Sequence, residues 1–146
     1  MKIGVSSCLL GINCKYNGKS NINEDIIKLK GQFELVPICP EVLGGLTTPR
    51  TPAEIINDKV INKDGIDVTK NYFDGAKKAL EILKQNNIKI VILKSKSPSC
   101  GNGEIYDGTF SHNLIAGNGI AAKMFLENNI EIYNENNFKE LLKKFI

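Results

Sequence analysis

The chain has 146 residues, 42% of them hydrophobic and 24% charged, with a net charge of +3. That length favours one domain, residues 1–146, which buries roughly 68–70% of its unfolded surface without disulfide or metal staples. The small positive charge, carried by lysines spread along helical stretches, reads as a solvated surface and argues against stable nucleic-acid binding.

The chain starts directly on a strand-like run, Met1-Lys2-Ile3-Gly4-Val5. It shows no signal peptide, and no apolar stretch approaches the ~20 residues of a membrane helix, so a cytoplasmic protein with no membrane partner is expected. Residues 2–7 read as a short buried strand, and residues 8–21 as a loop marked by Gly11, Asn13, Asn17 and Gly18. Asn23, Glu24 and Asp25 offer a cap for a short helix carrying Ile26, Ile27 and Leu29. Residues 33–39 form a second strand, although Pro37 removes one ladder hydrogen bond. Three prolines and two glycines make residues 40–53 irregular, and residues 54–66 suggest a small hairpin or extended excursion.

A helix is expected from about 68 to 86, with Tyr72, Phe73, Ala76, Ala79, Leu80 and Leu83 recurring at three- and four-residue spacing and Asp67 or Thr69 as its cap. Residues 88–93 are the clearest strand, and 94–113 a loop. A helix over 115–128 presents Ile120, Ala121, Met124 and Phe125 on one face. A last strand spans 130–133, and a closing helix over 134–146 turns Phe138, Leu141, Leu142 and Phe145 inward. Strands alternating with helices predict a single-domain α/β, Rossmann-like three-layer fold with a mainly parallel sheet. In such sheets ligands bind at the carboxyl ends of the strands.

Cys8, Cys39 and Cys100 each fall just past the carboxyl end of an expected strand, so they should converge on one sheet edge, with Cys14 in the same loop region. In a reducing cytosol they are not expected to form disulfides. Thiolates select zinc, Cu(I) or iron–sulfur clusters. Paired knuckle spacing for structural zinc is absent, whereas single, widely separated ligands on a rigid edge suit a cubane held by three anchors. A zinc site, a cysteine nucleophile and inert buried thiols are the other readings of the same residues.

Glu41 follows Cys39-Pro40 closely and is a candidate for proton transfer, or else a solvated loop glutamate. Arg50, between two prolines, suits a phosphate or a structural ion pair. Ser97, Ser99 and the N–H groups of the following Gly-rich turn could form an anion-binding concavity. Asp107-Gly108 is a turn signal, which makes Asp107 structural, and nothing around His112, the single histidine, supports a catalytic triad. A spaced-glycine dinucleotide fingerprint and a Cys-x-x-Cys are both missing.

The runs SSCLLGINCKYNG, CPEVLGGLTTPRTPAEI, GIDVTKNYFDGA and LKSKSPSCGNGEIYDGTF, in this order, resemble the thiouracil desulfidase family over about residues 2–133, in its form without an appended domain. The resemblance implies a [4Fe-4S] cluster held by three of Cys8, Cys14, Cys39 and Cys100, with one iron left open to the sulfur of a thiolated pyrimidine. It implies non-redox removal of that sulfur as sulfide, water replacing it, from thiouracil or 4-thiouridine monophosphate. Glu41 and Ser97 match the family's proton-handling and substrate-positioning residues, and Ser7, Arg50, Ser99 and Gly101 are the expected substrate contacts. The sheet-edge argument favours Cys8, Cys39 and Cys100 as ligands, with Cys14 replacing Cys39 if the first loop folds back over the edge. The competing functions are a zinc- or thiol-dependent enzyme with a Cys100 nucleophile, and a non-catalytic cluster- or nucleotide-binding module.

Overall fold

All four residues of the run Ile90–Leu93 are buried, so this strand has no polar face and belongs at the centre of a sheet covered on both sides. The computed structural model, which describes residues 1–145, places it there. The elements in chain order are β1 (Lys2–Ser6), α1 (Glu24–Ile27), β2 (Glu34–Ile38), α2 (Pro40–Leu43), β3 (Ala53–Ile56), β4 (Lys59–Asn62), α3 (Thr69–Gln85), β5 (Ile90–Leu93), β6 (Asn102–Tyr106), β7 (Leu114–Asn118), α4 (Ile120–Glu127), β8 (Glu131–Asn134) and α5 (Lys139–Leu142). β2, β1, β5 and β8 form, in that order, a four-stranded parallel sheet. β3–β4 and β6–β7 are separate antiparallel hairpins.

Alternation along the strands splits the core in two. Ile3 and Val5 of β1 and Ile90 and Ile92 of β5 pack with Ile26, Phe33, Phe138 and Leu141. Val91 and Leu93 turn the other way, onto Ala76, Ala79 and Leu83 of α3 and Ala121, Ala122 and Phe125 of α4. Helix, sheet and helix thus make three layers, as expected. Among the described residues no helix is long and apolar enough to cross a membrane.

Four local expectations are corrected. The stretch 40–53 is not wholly irregular, because Pro40 begins α2 at a first-turn position, where its missing N–H leaves no helical bond unmade. Residues 94–118 hold the β6–β7 hairpin, so the helix expected from 115 starts at Ile120, and Leu114 and Ile115 are exposed strand residues. The closing helix shrinks to α5 and a 3-10 turn, since the Asn134 side chain accepts from the N–H groups of Asn136 and Asn137 and competes with helix there. Its last residue, Ile146, and the Phe145 side chain lie outside the described residues. Phe73 is exposed, with the Lys77 ammonium over its ring, while Tyr72 next to it is buried.

The caps also sort out physically. Asn23 caps α1 by accepting from Ile26 N–H at 3.1 Å. α3 has Val68 at its cap position and no side-chain cap; Asp67 accepts from Thr69 N–H, and the Thr69 hydroxyl accepts instead from Val60 of β4.

Candidate active site

Three of the cysteines reach the site from strand ends. β1 runs into a 3-10 turn, Ser7–Leu10, whose second residue is Cys8. Cys39 is the junction between β2 and α2. Cys100 lies on the loop from β5 to β6, and the first loop folds back to bring Cys14 alongside. All four are free thiols and line one cavity of about 450 Å³ at the carboxyl edge of the sheet. The single proton of the Cys14 thiol lies within reach of both the Cys39 and the Cys8 sulfurs, which holds it protonated and far above the usual thiol range. Cys8 is lowered to about 7, by the Cys14 hydrogen bond first, against its burial, with the Asn21 amide 3.6 Å from its sulfur and the Lys94 ammonium assisting. Cys39 is lowered in the same way by Cys14, against burial, and by Val42 N–H and Arg50. Cys100 is pushed up to about 12 by burial, although the Ser6 hydroxyl donates to it.

Glu41 sits in the first turn of α2, and α2 is pressed onto α3 more closely than side chains allow. A Cβ on Gly44 would lie 1.9 Å from the Asn71 carbonyl oxygen, and one on Gly75 1.8 Å from that of Pro40. Only glycine permits this crossing, which aims Glu41 into the cavity. Arg50 clamps the carboxylate with two N–H groups, one of them Nε at 3.1 Å, and also donates to the carbonyls of Cys14 (3.0 Å) and Thr47 (3.2 Å). Burial pulls the Arg50 guanidinium down, but the Glu41 carboxylate outweighs it and raises it above its ordinary value. The Tyr72 hydroxyl hydrogen-bonds Glu41, and burial followed by the Glu41 charge drives its acidity well below that of an ordinary phenol. Tyr72 is a functional neighbour that helical periodicity reads only as core; the signal is its hydroxyl, which a buried tyrosine must satisfy.

The Ser97–Gly101 turn departs from expectation. The Ser97 hydroxyl accepts from Cys100 N–H at 2.6 Å, and Ser97 C=O accepts from Gly101 N–H at 2.9 Å. Gly103 N–H goes to the Asn118 side chain. The N–H groups of Cys100, Gly101 and Gly103 are therefore already bonded within the protein and are not left for an anion. Ser97 keeps its own O–H proton free to donate. Ser99 is buried, with the Cys100 sulfur 3.9 Å from its hydroxyl, and its carbonyl accepts from Ala121 N–H of α4. Both Ser97 and Ser99 line the cavity, as does Ser7. Gly101 is not among the lining residues, and a Cβ there would meet Ser97 O at 2.7 Å.

Asp107 is structural, as expected, and accepts from Thr109. The cavity is also lined by residues that the sequence reading did not single out as site residues: Tyr106, Phe110 and His112 from the β6–β7 hairpin, Glu54 from β3, and Lys94 after β5. Lys94 Nζ is 2.9 Å from Glu135, which also accepts from Ser95 N–H and Oγ.

The sequence model of the 2-thiouracil desulfurase family matches residues 3–137. The chain belongs to that family. Its fold matches a solved structure, the [4Fe-4S]-dependent thiouracil desulfidase TudS, with a TM-score of 0.92 at 37% identity, covering 99% of this chain and 97% of that one. The protein YbbK of Bacillus subtilis (strain 168) is 44% identical over 148 residues, 94% of this chain and 98% of its own. The family membership expected from the four motifs therefore stands, and the α/β three-layer fold with it. In this desulfurase the motifs converge in space: SSCLLGINC supplies Cys8 and Cys14, CPEVLGGLTTPR supplies Cys39, Glu41 and Arg50, and SPSC supplies Ser97 and Cys100, all on one cavity.

Proposed function

We propose that this protein is a thiopyrimidine desulfidase that removes sulfur from thiouracil or a 4-thiouridine nucleotide, leaving the oxo base and sulfide. The observation that carries the reading is the convergence of four free thiols with the Arg50-clamped Glu41 on a single cavity. The donor set fits an iron–sulfur cluster. It is all sulfur, it comes from separate rigid anchors, and two cations, Lys94 and Arg50, favour the thiolate forms of Cys8 and Cys39. The first loop does fold back over the edge, so Cys14 competes with Cys39 for one position; we take the three cysteines that follow strands, Cys8, Cys39 and Cys100, as those that would hold a [4Fe-4S] cluster. When bound, the cluster supplies a soft Lewis acid toward the substrate sulfur without consuming electrons.

The remaining work falls to protein groups. Glu41 accepts the proton of the water that replaces sulfur, and Arg50 and Tyr72 fix the orientation of its carboxylate. Ser97, its oxygen held by Cys100 N–H, directs its own proton toward an exocyclic carbonyl oxygen of the base or the departing charge. Lys15, Lys63 and Lys96, which also line the cavity, suit the phosphate of a nucleotide. A Cys100 nucleophile is disfavoured, since a buried thiol pushed up to about 12 is protonated at neutral pH. Anaerobic reconstitution followed by sulfide assays with 2-thiouracil, 4-thiouracil and 4-thiouridine monophosphate tests the reading. Iron-loaded protein that releases no sulfide from any of them refutes it.

A further inference from the structure

One buried carboxylate on the cavity takes no part in the chemistry above. Glu54, on β3, is 8% exposed, and no lysine or arginine among the described residues pairs with it. Its Oε1 accepts two backbone N–H groups from the tip of the β6–β7 hairpin, Gly108 at 3.0 Å and Phe110 at 3.2 Å. A charged acceptor gives its strongest bonds in such a desolvated place.

The tip it holds is unusually shaped. Gly108, Phe110 and His112 all have φ in the left-handed region, at 93°, 58° and 61°. For a bulky aromatic residue that conformation persists only where the surroundings enforce it. The tip also leans on β3 so closely that a Cβ on Gly108 would lie 2.6 Å from Ile56 Cγ1. The consequence is on the cavity side. Phe110 and His112 line the same cavity as the thiols, and Tyr106 joins them with its ring edge-to-face on His112, centroids 5.8 Å apart and planes at 80°. A planar pyrimidine is the kind of ligand such a wall recognises, because every base has a π-face to stack.

We propose that Glu54 is a positioning residue for substrate: by tying down the hairpin tip it holds Phe110 and His112 as an aromatic wall for the pyrimidine ring. The inference rests on the thiopyrimidine reading of the cavity. Glu54 touches no substrate and moves no proton; it acts through the two N–H groups it accepts.

The test combines amide hydrogen exchange on the purified chain with kinetics on the reconstituted enzyme, using 4-thiouracil. E54A is expected to lose exchange protection at Gly108 and Phe110 and to raise KM on the order of tenfold, the scale of one lost base–aromatic stack, with cluster absorbance intact and kcat much less affected. E54Q keeps a carbonyl oxygen in place, so it should recover most of the protection and of KM. F110A removes the wall from an outer loop without touching the core, and decides the matter if E54A does not fold. It should raise KM by a similar factor, and the double variant should add little, because both changes remove one interaction. Unchanged KM in F110A and E54A, or a rise of KM in E54Q as large as in E54A, overturns the role of Glu54 while wild-type turnover persists. A reconstituted wild type inactive on thiopyrimidines instead overturns the function on which the role depends.

Discussion

Glu41→Gln separates chemistry from architecture at the point where the two meet. The substitution keeps the shape of the side chain and one oxygen that Arg50 can still reach, but replaces a charge-assisted pair by a neutral acceptor. Both partners are largely buried, with side-chain exposures of 8% for Arg50 and 15% for Glu41, so weakening the pair costs about 1–3 kcal/mol of stability. A domain of this kind holds about 5–15 kcal/mol, and even the lowest value less the largest cost leaves about 2 kcal/mol, or roughly 97% folded. Loss of a general base removes about 10²–10⁴ in rate. The catalytic effect therefore exceeds anything that partial unfolding produces. Single-turnover sulfide release under anaerobic conditions, with iron content and absorbance measured on the same sample, reads both. The expected result is a loaded, folded variant that turns over about 10²–10⁴-fold more slowly. Unimpaired turnover in a loaded variant would remove Glu41 from the mechanism.

Ser97→Ala should leave the brown colour of the cluster and lower turnover by about 10²–10³, the cost of one donor to developing charge; wild-type kcat in that variant would assign Ser97 to the Cys100 turn alone. Iron analysis of single Cys→Ala variants should show C8A, C39A and C100A empty and C14A loaded, whereas a loaded C39A with an empty C14A exchanges the two in the ligand set. Glu135→Gln should flatten the acid side of the stability curve. Burial would raise this carboxyl, but Lys94 and Ser95 N–H outweigh it and hold the carboxyl below its ordinary 4.5, so its contribution is present above pH 4.5 and is lost as pH falls through the lowered folded value. Urea midpoints across that acid range check it, and parallel curves for wild type and variant would refute the argument.

The sheet and the site were legible in the sequence for different reasons. The β-branched run at 88–93 and the three- and four-residue spacing of α3 report burial, and burial is what builds the core layers. The cysteines were legible because strand ends in a parallel sheet share an edge, which turns distance along the chain into proximity in space. What the sequence left hidden depends on pairing rather than composition. Residues 102–118 carry loop-like glycines and asparagines, and become a hairpin only by cross-strand bonds between β6 and β7. Gly101 reads locally as a ligand-facing glycine, and the close approach of Ser97 O that also demands glycine there shows only in three dimensions. Glu54 lies inside the CPEVLGGLTTPRTPAEI run, but its role stays hidden there because its partners lie 54 and 56 residues away. Tyr72 hid within a helical stripe for the opposite reason: its ring satisfies the periodicity and so masks the hydroxyl.

The place of the site follows from the strand order. β1 pairs with β2 on one side and β5 on the other, and the connections depart to opposite faces, α1 with one core layer and α3 and α4 with the other. Between β1 and β5 the two chains therefore part, and a crevice must open at their carboxyl ends. Folds that bind dinucleotides fill such a crevice with a glycine turn and a helix N-terminus aimed at phosphate. Here the turn after β1 is Ser7–Leu10, a single 3-10 turn that carries Cys8, and the N–H groups at the start of α4 are already bonded to Pro98 and Ser99. The crevice mouth is instead stitched by Lys94 N–H to the Ser6 hydroxyl at 2.9 Å, with the same hydroxyl donating to Cys100. The same architectural opening thus presents thiols where a nucleotide-binding protein presents amides, and sulfur chemistry takes the position that phosphate recognition holds elsewhere.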